Sequence, residues 1–419
     1  MKKNKLVPKL RFPEFKNSPS WKKYQLKEIS NRITQKVENN KLITLSISAG
    51  IGFISQAEKF NRDISGKQYN NYIYLKKGDF SYNKGNSKKF PQGCIYELKE
   101  YDEAAVPNVF ISFKFKYDFI SYFYHGYFDN NFHGKQLIKF ITSSARSDGL
   151  LNISADDFFS IILPTPEKKE QQKIADCLAS IDDLIEAEKR KLEVLKKYKK
   201  ALMQKLFPAE DASIPELRFE EFKDSGEWEN KKLSDIGEII TGKTPNTSDL
   251  SLWGGDIQFV TPTDITEKKY QYNTQRNVVR TNNIRILPKN TIMFTSIASI
   301  GKMALSVKPC ITNQQINSII PTNNYDNEFI YYSILQKSFY IKLLLANTTL
   351  PIINKTEFSK ITISITSNKK EQKKIADCLA SIDSIIDSQV KRIDNLIKHK
   401  KALMQGLFPD MESIEEYDL

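Results

Sequence analysis

The sequence predicts an α+β chain: two mixed α/β domains joined by two long helices packed as an antiparallel coiled coil, with internal pseudo-two-fold symmetry and a circular organisation. Three observations carry that expectation. A 39-residue segment, Glu170 to Pro208, recurs as Glu371 to Pro409, and at an offset of 201 the copies agree at 24 of 39 positions without a gap. A weaker repeat surrounds it, Pro8 to Ile29 matching Pro215 to Ile236 at an offset of 207. Between these lie short β-branched and aromatic runs separated by Asn, Gly and Asp, the pattern of strands and turns.

The repeated segment reads as one uninterrupted helix in each copy. Ile174, Leu178, Ile181, Ile185, Leu192, Leu195, Leu202 and Leu206 fall at spacings of three, four or seven, the seam of a coiled coil. Ile375, Leu379, Ile382, Ile386, Ile393, Leu396, Leu403 and Leu407 repeat it. Pro164 and Pro166 precede the first copy and Pro208 and Pro409 follow the two, as helix breakers do. Basic residues (Lys199, Lys200, Lys205; Lys400, Lys401) crowd the C-terminal ends, where the helix dipole favours them. A rod of roughly 58 Å cannot bury its seam alone, and the simplest partner is the other copy, running antiparallel. Glu188 and Gln389 place a polar residue at the same point of both seams, a device for fixing register.

A seam explains apolar identities but not matching exposed ones. Lys173, Asp176, Ser180, Asp182, Lys197 and Gln204 recur as Lys374, Asp377, Ser381, Asp383, Lys398 and Gln405. Two such surfaces suit two copies of one partner, so these twelve are the candidate partner-binding residues.

The remaining chain divides accordingly: a first domain over residues 1–165, its helical segment over 166–208, a second domain over 209–367, its helical segment over 368–410 and a tail over 411–419. Phe158, Ile161 and Leu163 correspond to Phe358, Ile361 and Ile363 where each domain meets its rod. The C-terminal LFPDMESIEEYDL begins like the LFPAEDASIPEL that joins the halves, which predicts neighbouring termini.

Four scattered cysteines, Cys94, Cys177, Cys310 and Cys378, suggest neither a disulfide framework nor a zinc site and point to a reduced, cytoplasmic setting. The N-terminus has no apolar signal region, and the best apolar run, Thr291 to Val307, is interrupted by Lys302. A formal charge of +13 favours a polyanionic partner. The loops between the strand-like runs carry groups suited to DNA. In the first domain these are Tyr82, Asn83, Lys84, Asn86, Lys88, Lys89 and Gln92. In the second they are Thr241, Lys243, Thr263, Asp264, Ser296, Ser299, Lys302, Asn313, Gln314 and Gln315. Lys holds phosphates, whereas Asn, Gln and Asp can read base edges.

No phosphate loop, no glycine-rich methyltransferase motif with its N-P-P-Y-like tetrapeptide and no carboxylate–lysine nuclease cluster stands out. The near pair among three histidines, His125 and His133, reads as structural rather than as a metal site. The chain is therefore expected to have no catalytic residues and no cofactor or metal of its own.

The I-A-D-C-L-A-S-I-D opening and K-K-A-L-M-Q-x-L-F-P close of each rod, the P-x-L-R-F entry to each domain, and SIASIGKMAL with ITNQQINSI in the second domain resemble the specificity subunit of type I restriction-modification systems. The resemblance covers essentially the whole chain. It implies two target-recognition domains and two conserved helical regions that dock two methyltransferase (modification) subunits and set the distance between DNA half-sites. It also implies restriction subunits acting as translocase and nuclease, with S-adenosylmethionine, ATP and Mg held in the partners. The first domain departs from the pattern, with NKGNSKKFPQGCIYEL in place of SIASIGKMAL. A free-standing two-headed DNA-binding regulator or architectural protein is the alternative.

Overall fold

The computed structural model describes residues 6–38, 41–85, 90–141, 151–281, 284–297, 300–345 and 352–409. Its main helices are Ser121–Asp129 (α1), Lys168–Leu206 (α2), Asn327–Leu345 (α3) and Lys369–Leu407 (α4). The repeated segments are thus α2 and α4, each an unbroken 39-residue helix. The Asn368 side chain accepts the backbone N–H of Lys370 at 3.0 Å and so satisfies one of the orphan donors at the start of α4.

The chain resolves into two compact units, Met1–Glu188 with Ile393–Leu419 (unit 1) and Lys189–Arg392 (unit 2). Each contains the first part of one long helix and the last part of the other. In unit 1 the two parts run antiparallel. Ile174, Ala175 and Leu178 of α2 share a core with Met404, Leu407 and Phe408, and two turns in from there Asp182 meets Lys400. Unit 2 repeats the arrangement with Ile375, Ala376 and Leu379 against Met203, Leu206 and Phe207, and with Asp383 against Lys199. Every seam position expected from the periodicity is buried or half-buried, and the polar Glu188 and Gln389 are buried at 8% and 6% exposure.

In unit 1 the strands are Lys22–Gln25 (β1), Ser30–Arg32 (β2), Leu45–Ser48 (β3), Gly52–Ser55 (β4), Ile73–Lys76 (β5), Phe80–Asn83 (β6), Cys94–Glu97 (β7), Glu103–Val106 (β8), Ile111–Phe115 (β9) and Ile162–Thr165 (β10). They form a four-stranded sheet in the order β2-β9-β6-β7 and three antiparallel pairs, β3-β4, β5-β8 and β1-β10. The strands of unit 2 are Glu229–Lys232 (β11), Gly237–Thr241 (β12), Trp253–Val260 (β13), Tyr270–Gln271 (β14), Arg276–Val278 (β15), Ile292–Thr295 (β16), Met303–Ser306 (β17), Cys310–Thr312 (β18), Ile316–Pro321 (β19) and Thr362–Ile365 (β20). Here the sheets are β12-β19-β16-β17-β14 and β15-β13-β18, with β11 paired to β20.

A common frame underlies the two different sheets. Strands β2, β6, β7 and β9 of unit 1 pair as β12, β16, β17 and β19 do in unit 2, and the β1-β10 ladder leading into α2 is repeated by β11-β20 leading into α4. Tyr82 on β6 stacks on Phe158 at 4.6 Å, as Phe294 on β16 packs on Phe358 at 5.0 Å, and all four rings are fully buried.

The P-x-L-R-F entry has a defined job in this frame. In unit 1 the Leu10 N–H donates to Gly406 O at the C-terminus of α4, while Arg11 forks onto Glu170 in the first turn of α2 at 2.7 and 2.6 Å. In unit 2 Leu217 N–H donates to Lys205 O at the end of α2, and Arg218 forks onto Glu371 in the first turn of α4 at 2.7 and 2.9 Å. One short motif therefore satisfies an orphan carbonyl at one helix end and holds a carboxylate at the start of the other. The Leu10–Gly406 bond also brings the entry segment of the chain to the end of its last helix, the circular organisation expected from the repeats.

Candidate nucleic-acid interface and helix surface

At one end of its sheets, unit 2 gathers the second group of candidate DNA-binding residues. Beyond β12 the chain crosses the β18–β19 connection: Gly242 N–H donates to Ile316 O at 3.2 Å and Lys243 N–H to Thr312 O at 2.9 Å. Only glycine fits at 242, because a Cβ there would lie 2.2 Å from the carbonyl oxygens of Thr312 and Asn313. Asn313 N–H donates to Val260 O at 3.1 Å and Ser296 N–H to Gln315 O at 2.8 Å, which ties the β13 and β16 ends to the same edge. The carboxylate of Asp264 accepts Thr261 N–H and Oγ1–H at 2.8 and 2.7 Å and so closes the turn that presents Thr263.

The candidates on this edge separate by exposure. Lys243, Thr263 and Gln314 are exposed, and Thr241, Asp264, Lys302 and Gln315 are half-buried. Asn313 and Ser296 are buried at 8% and 4% and form the edge from within rather than presenting their side chains, a correction to their reading as surface groups. The Asn313 amide is spent on Gln315, donating to Oε1 at 3.2 Å, and its Oδ1 accepts Gln315 N–H at 3.1 Å. Lys302 leans on Glu267 at 3.4 Å. Ser299 lies outside the described residues.

In unit 1 the equivalent place is the β6–β7 hairpin. Leu151 N–H donates to Lys84 O at 2.9 Å just as Ile353 N–H donates to Ser296 O at 3.1 Å, so the chain leaves β6 as it leaves β16 despite the different sequence. Tyr82 is not a surface group: it is fully buried, and its hydroxyl donates to Gln92 O at 2.7 Å. Burial pushes its phenol pKa well up. Asn83 is turned inward in part, its Oδ1 accepting Gly85 N–H at 2.9 Å, and Lys84 and Gln92 are half-buried. Asn86, Lys88 and Lys89 lie outside the described residues.

His133 packs edge-on against Tyr82 and Phe128 under this hairpin, 2% exposed, with neither ring nitrogen partnered among the described residues. Burial pushes its pKa down to about 4. A base whose folded-state pKa is depressed favours the folded state fully above its unfolded value of ~6.5 and loses that contribution as pH falls toward 4. Unit 1 is expected to lose about 3 kcal/mol between pH 6.5 and pH 4 through this group. Urea unfolding across that range checks it, with His133→Phe as the control that lacks this contribution and keeps those of the carboxylates.

On the helices the twelve candidate partner-binding residues divide into two groups. Asp176, Ser180, Lys197 and Gln204, with Asp377, Ser381, Lys398 and Gln405, are exposed. Lys173 pairs with Glu14 at 3.3 Å and Lys374 with Glu221 at 3.1 Å, although both remain half in solvent. Asp182 and Asp383 are half-buried. Each accepts a tyrosine hydroxyl at 2.5 Å, Tyr122 and Tyr332 respectively, and each pairs with a lysine of the opposite long helix. Lys199 and Lys400 are therefore held by carboxylates, a stronger reason for their presence than the helix dipole. Sequence reading passed over one exposed apolar pair at the same offset, Leu184 at 41% and Ile385 at 52% exposure, whose signal is an apolar residue off the seam.

Among the described residues no helix is long and apolar enough to cross a membrane. A frame duplicated in the helices and divergent at the strand edges defines a class of protein with two differing heads on one scaffold. The chain matches the type I restriction modification DNA specificity domain over residues 19–197 and again over residues 225–399, and it belongs to that family, as a specificity subunit with two tandem copies of the domain. It is similar to the type I restriction enzyme MjaIX specificity subunit of Methanocaldococcus jannaschii, 34% identical over 194 residues that cover 44% of this chain and 45% of the relative. It is also similar to the HindI specificity subunit of Haemophilus influenzae, 28% identical over 294 residues covering 54% and 64%. The matched stretch is thus about half the length of the first relative and under two-thirds of the second. The crystal structure of a type I restriction-modification S subunit from M. genitalium superposes with a TM-score of 0.58 over 97% of this chain and 100% of that one, at 17% identity. The fold is shared.

Proposed function

We propose that this chain gives a type I restriction-modification complex its address: one recognition domain (residues 1–165) binds one half of a split, non-palindromic target on double-stranded DNA, and the other (209–367) binds a different half. The helical segments, 166–208 and 368–410, hold the two at a set spacing and dock two methyltransferase subunits, and 411–419 is a tail. The observation that carries the reading is the unequal duplication. The frame of helices, entry motifs and β1-β10 or β11-β20 ladders recurs in its main contacts, while the polar strand edges that this frame presents differ. A frame kept alike suits two identical partners, and edges allowed to differ suit two different words of DNA.

In this reading Lys243 and Lys302 neutralise phosphates, Gln314, Gln315 and Asp264 read base edges, Thr241 and Thr263 add hydroxyl contacts, and Asn313 and Ser296 support the edge from inside. Asn83, Lys84 and Gln92 do the corresponding work in the first domain, and Asn86, Lys88, Lys89 and Ser299 remain candidates from the sequence. The exposed Asp176, Ser180, Lys197, Gln204, Leu184 and their copies form the two docking surfaces. Chemistry belongs to the partners: methyl transfer from S-adenosylmethionine to an extruded adenine in each half-site, and ATP- and Mg-dependent translocation and cleavage by restriction subunits.

The test is co-expression with the methyltransferase subunit followed by mapping of methylated adenines. A stable complex with two methyltransferases per chain and one bipartite motif is expected. Gln315→Ala should relax one base position in one half-site by about 1–3 kcal/mol of discrimination and leave the other half-site alone. A chain that binds DNA alone and ignores the methyltransferase would sink the reading in favour of a free-standing regulator.

A further inference from the structure

The two half-buried aspartates point to a device that duplication does not account for. Around Asp182, three elements of unit 1 meet: Tyr122 of α1 donates to Oδ2 at 2.5 Å, and Lys400 of α4 sits at 2.7 Å from Oδ1, on a carboxylate carried by α2. Around Asp383 of α4, Tyr332 of α3 donates to Oδ2 at 2.5 Å and Lys199 of α2 lies at 2.5 Å from Oδ1. Aspartate and lysine are copies of one another at the offset of 201, but the tyrosines are not.

Helices α1 and α3 align through their anchors. Ile120 N–H donates to Gln171 Oε1 at 3.0 Å and Asp326 N–H to Gln372 Oε1 at 2.8 Å, and Phe123 and Phe329 pack on Trp21 and Trp228 respectively. In that alignment the counterpart of Tyr332 is Gly126, where a Cβ would stand 2.5 Å from Phe408 Cζ, and the counterpart of Tyr122 is Glu328. The two hydroxyls thus reach equivalent carboxylates from positions one helical turn apart, which lie on one face of a helix. Common descent explains the aspartate–lysine pair. It does not explain a tyrosine supplied independently to each.

A half-buried ion pair gains little stability over apolar packing, so geometry is the better reason to keep one. Burial, and then the neighbouring carboxylate, push both phenol pKa values far up, and the hydroxyls remain donors. Each joint is tied on toward the recognition domain. Lys400 also approaches Asp129 at 3.4 Å, which pairs with His125 at 3.2 Å. Lys269, beside β14, donates to Tyr332 Oη at 3.2 Å and pairs with Glu328 at 3.0 Å.

We infer that Tyr122–Asp182–Lys400 and Tyr332–Asp383–Lys199 are positioning joints that set how each recognition domain stands on its helix pair, and thereby which spacer between half-sites is accepted. The inference rests on the bipartite reading above. Its test uses the full chain with its methyltransferase subunits, duplexes carrying both half-sites with spacers varied one base pair at a time, and strand-resolved mapping of methylation. Tyr122→Phe and Tyr332→Phe should each leave the methylated motif unchanged while the preference for the native spacer over its neighbours falls about ten-fold, the loss of one hydrogen bond to a charged group. Asp182→Leu combined with Lys400→Leu, which keeps the joint packed without its geometry, should do the same. Unaltered spacer preference in these variants, a uniform loss across all spacers or a change in the bases read would each overturn the joint. Failure of the wild-type chain to direct methylation to any bipartite target would overturn the function as well.

Discussion

Arg218→Ala is expected to cost unit 2 about 3–5 kcal/mol, and Arg11→Ala to cost unit 1 a similar amount. Both guanidiniums are 6% exposed and face carboxylates that are 0% and 2% exposed. Among the described residues, removing the cation leaves Glu371 with the Thr366 hydroxyl, at 2.6 Å, and Glu170 with the indole N–H of Trp21, at 3.3 Å. The carbonyl of Gly226 in one unit, and those of Ser18 and Pro19 in the other, lose their donors as well. Native-state hydrogen exchange reads the two units separately: amides of residues 372–379 should lose protection in Arg218→Ala, and those of 173–178 in Arg11→Ala. Replacing both partners by methionine, Arg218→Met with Glu371→Met, should recover most of the loss, because an apolar pair carries no stranded charge. A loss under 1 kcal/mol for Arg218→Ala would mean that solvent reaches the carboxylate and that the motif holds nothing.

Phe408→Ala is expected to destabilise unit 1 by about 3–5 kcal/mol, as deletion of a core aromatic ring does. The ring is 2% exposed and lies against Tyr127, Phe123 and Trp21 at centroid separations of 4.6, 5.2 and 6.2 Å. Gly126→Ala presses on the same ring from the other side and should cost about 1–3 kcal/mol. The two are coupled. With Phe408 truncated, Gly126→Ala should become nearly neutral, and thermal unfolding of the four proteins in a double-mutant cycle measures the difference. Additive costs would show that the ring and the glycine do not share one space. Phe207, packed on Trp228 and Phe329 at 5.9 and 5.5 Å, is the equivalent position in unit 2.

The seam of the long helices was legible because a 3.5-residue rhythm leaves its mark on every turn. The entry motif was legible only as a repeat. That Arg11 belongs to Glu170, 159 residues away, has no local signal. Asp182 and Asp383 were read as outward-facing for the same reason, since the lysine and tyrosine that turn them inward come from other helices. Tyr82 misled in the opposite direction: it borders a polar, basic stretch, yet it lies on the buried strand β6 and packs on Phe158. The hairpin of the first domain could not be matched by letters to SIASIGKMAL, because the two share strand pairing and a carbonyl contact rather than side chains. On the second domain's edge, exposure separated Lys243, Gln314 and Thr263 from Asn313 and Ser296, a distinction that residue type alone does not make.

The entry motif also bears on inheritance. The stretches of sequence that recur within this chain are the ones that build its fastenings: Leu10 and Arg11 with their copies Leu217 and Arg218, and Glu170 and Glu371 at the helix starts. A crossover between related genes inside either repeat would therefore exchange the divergent stretch and deliver it with fastenings already matched to the frame that receives it. Under the proposed function, such an exchange would replace the recognition surface and leave the fastenings that hold it unchanged.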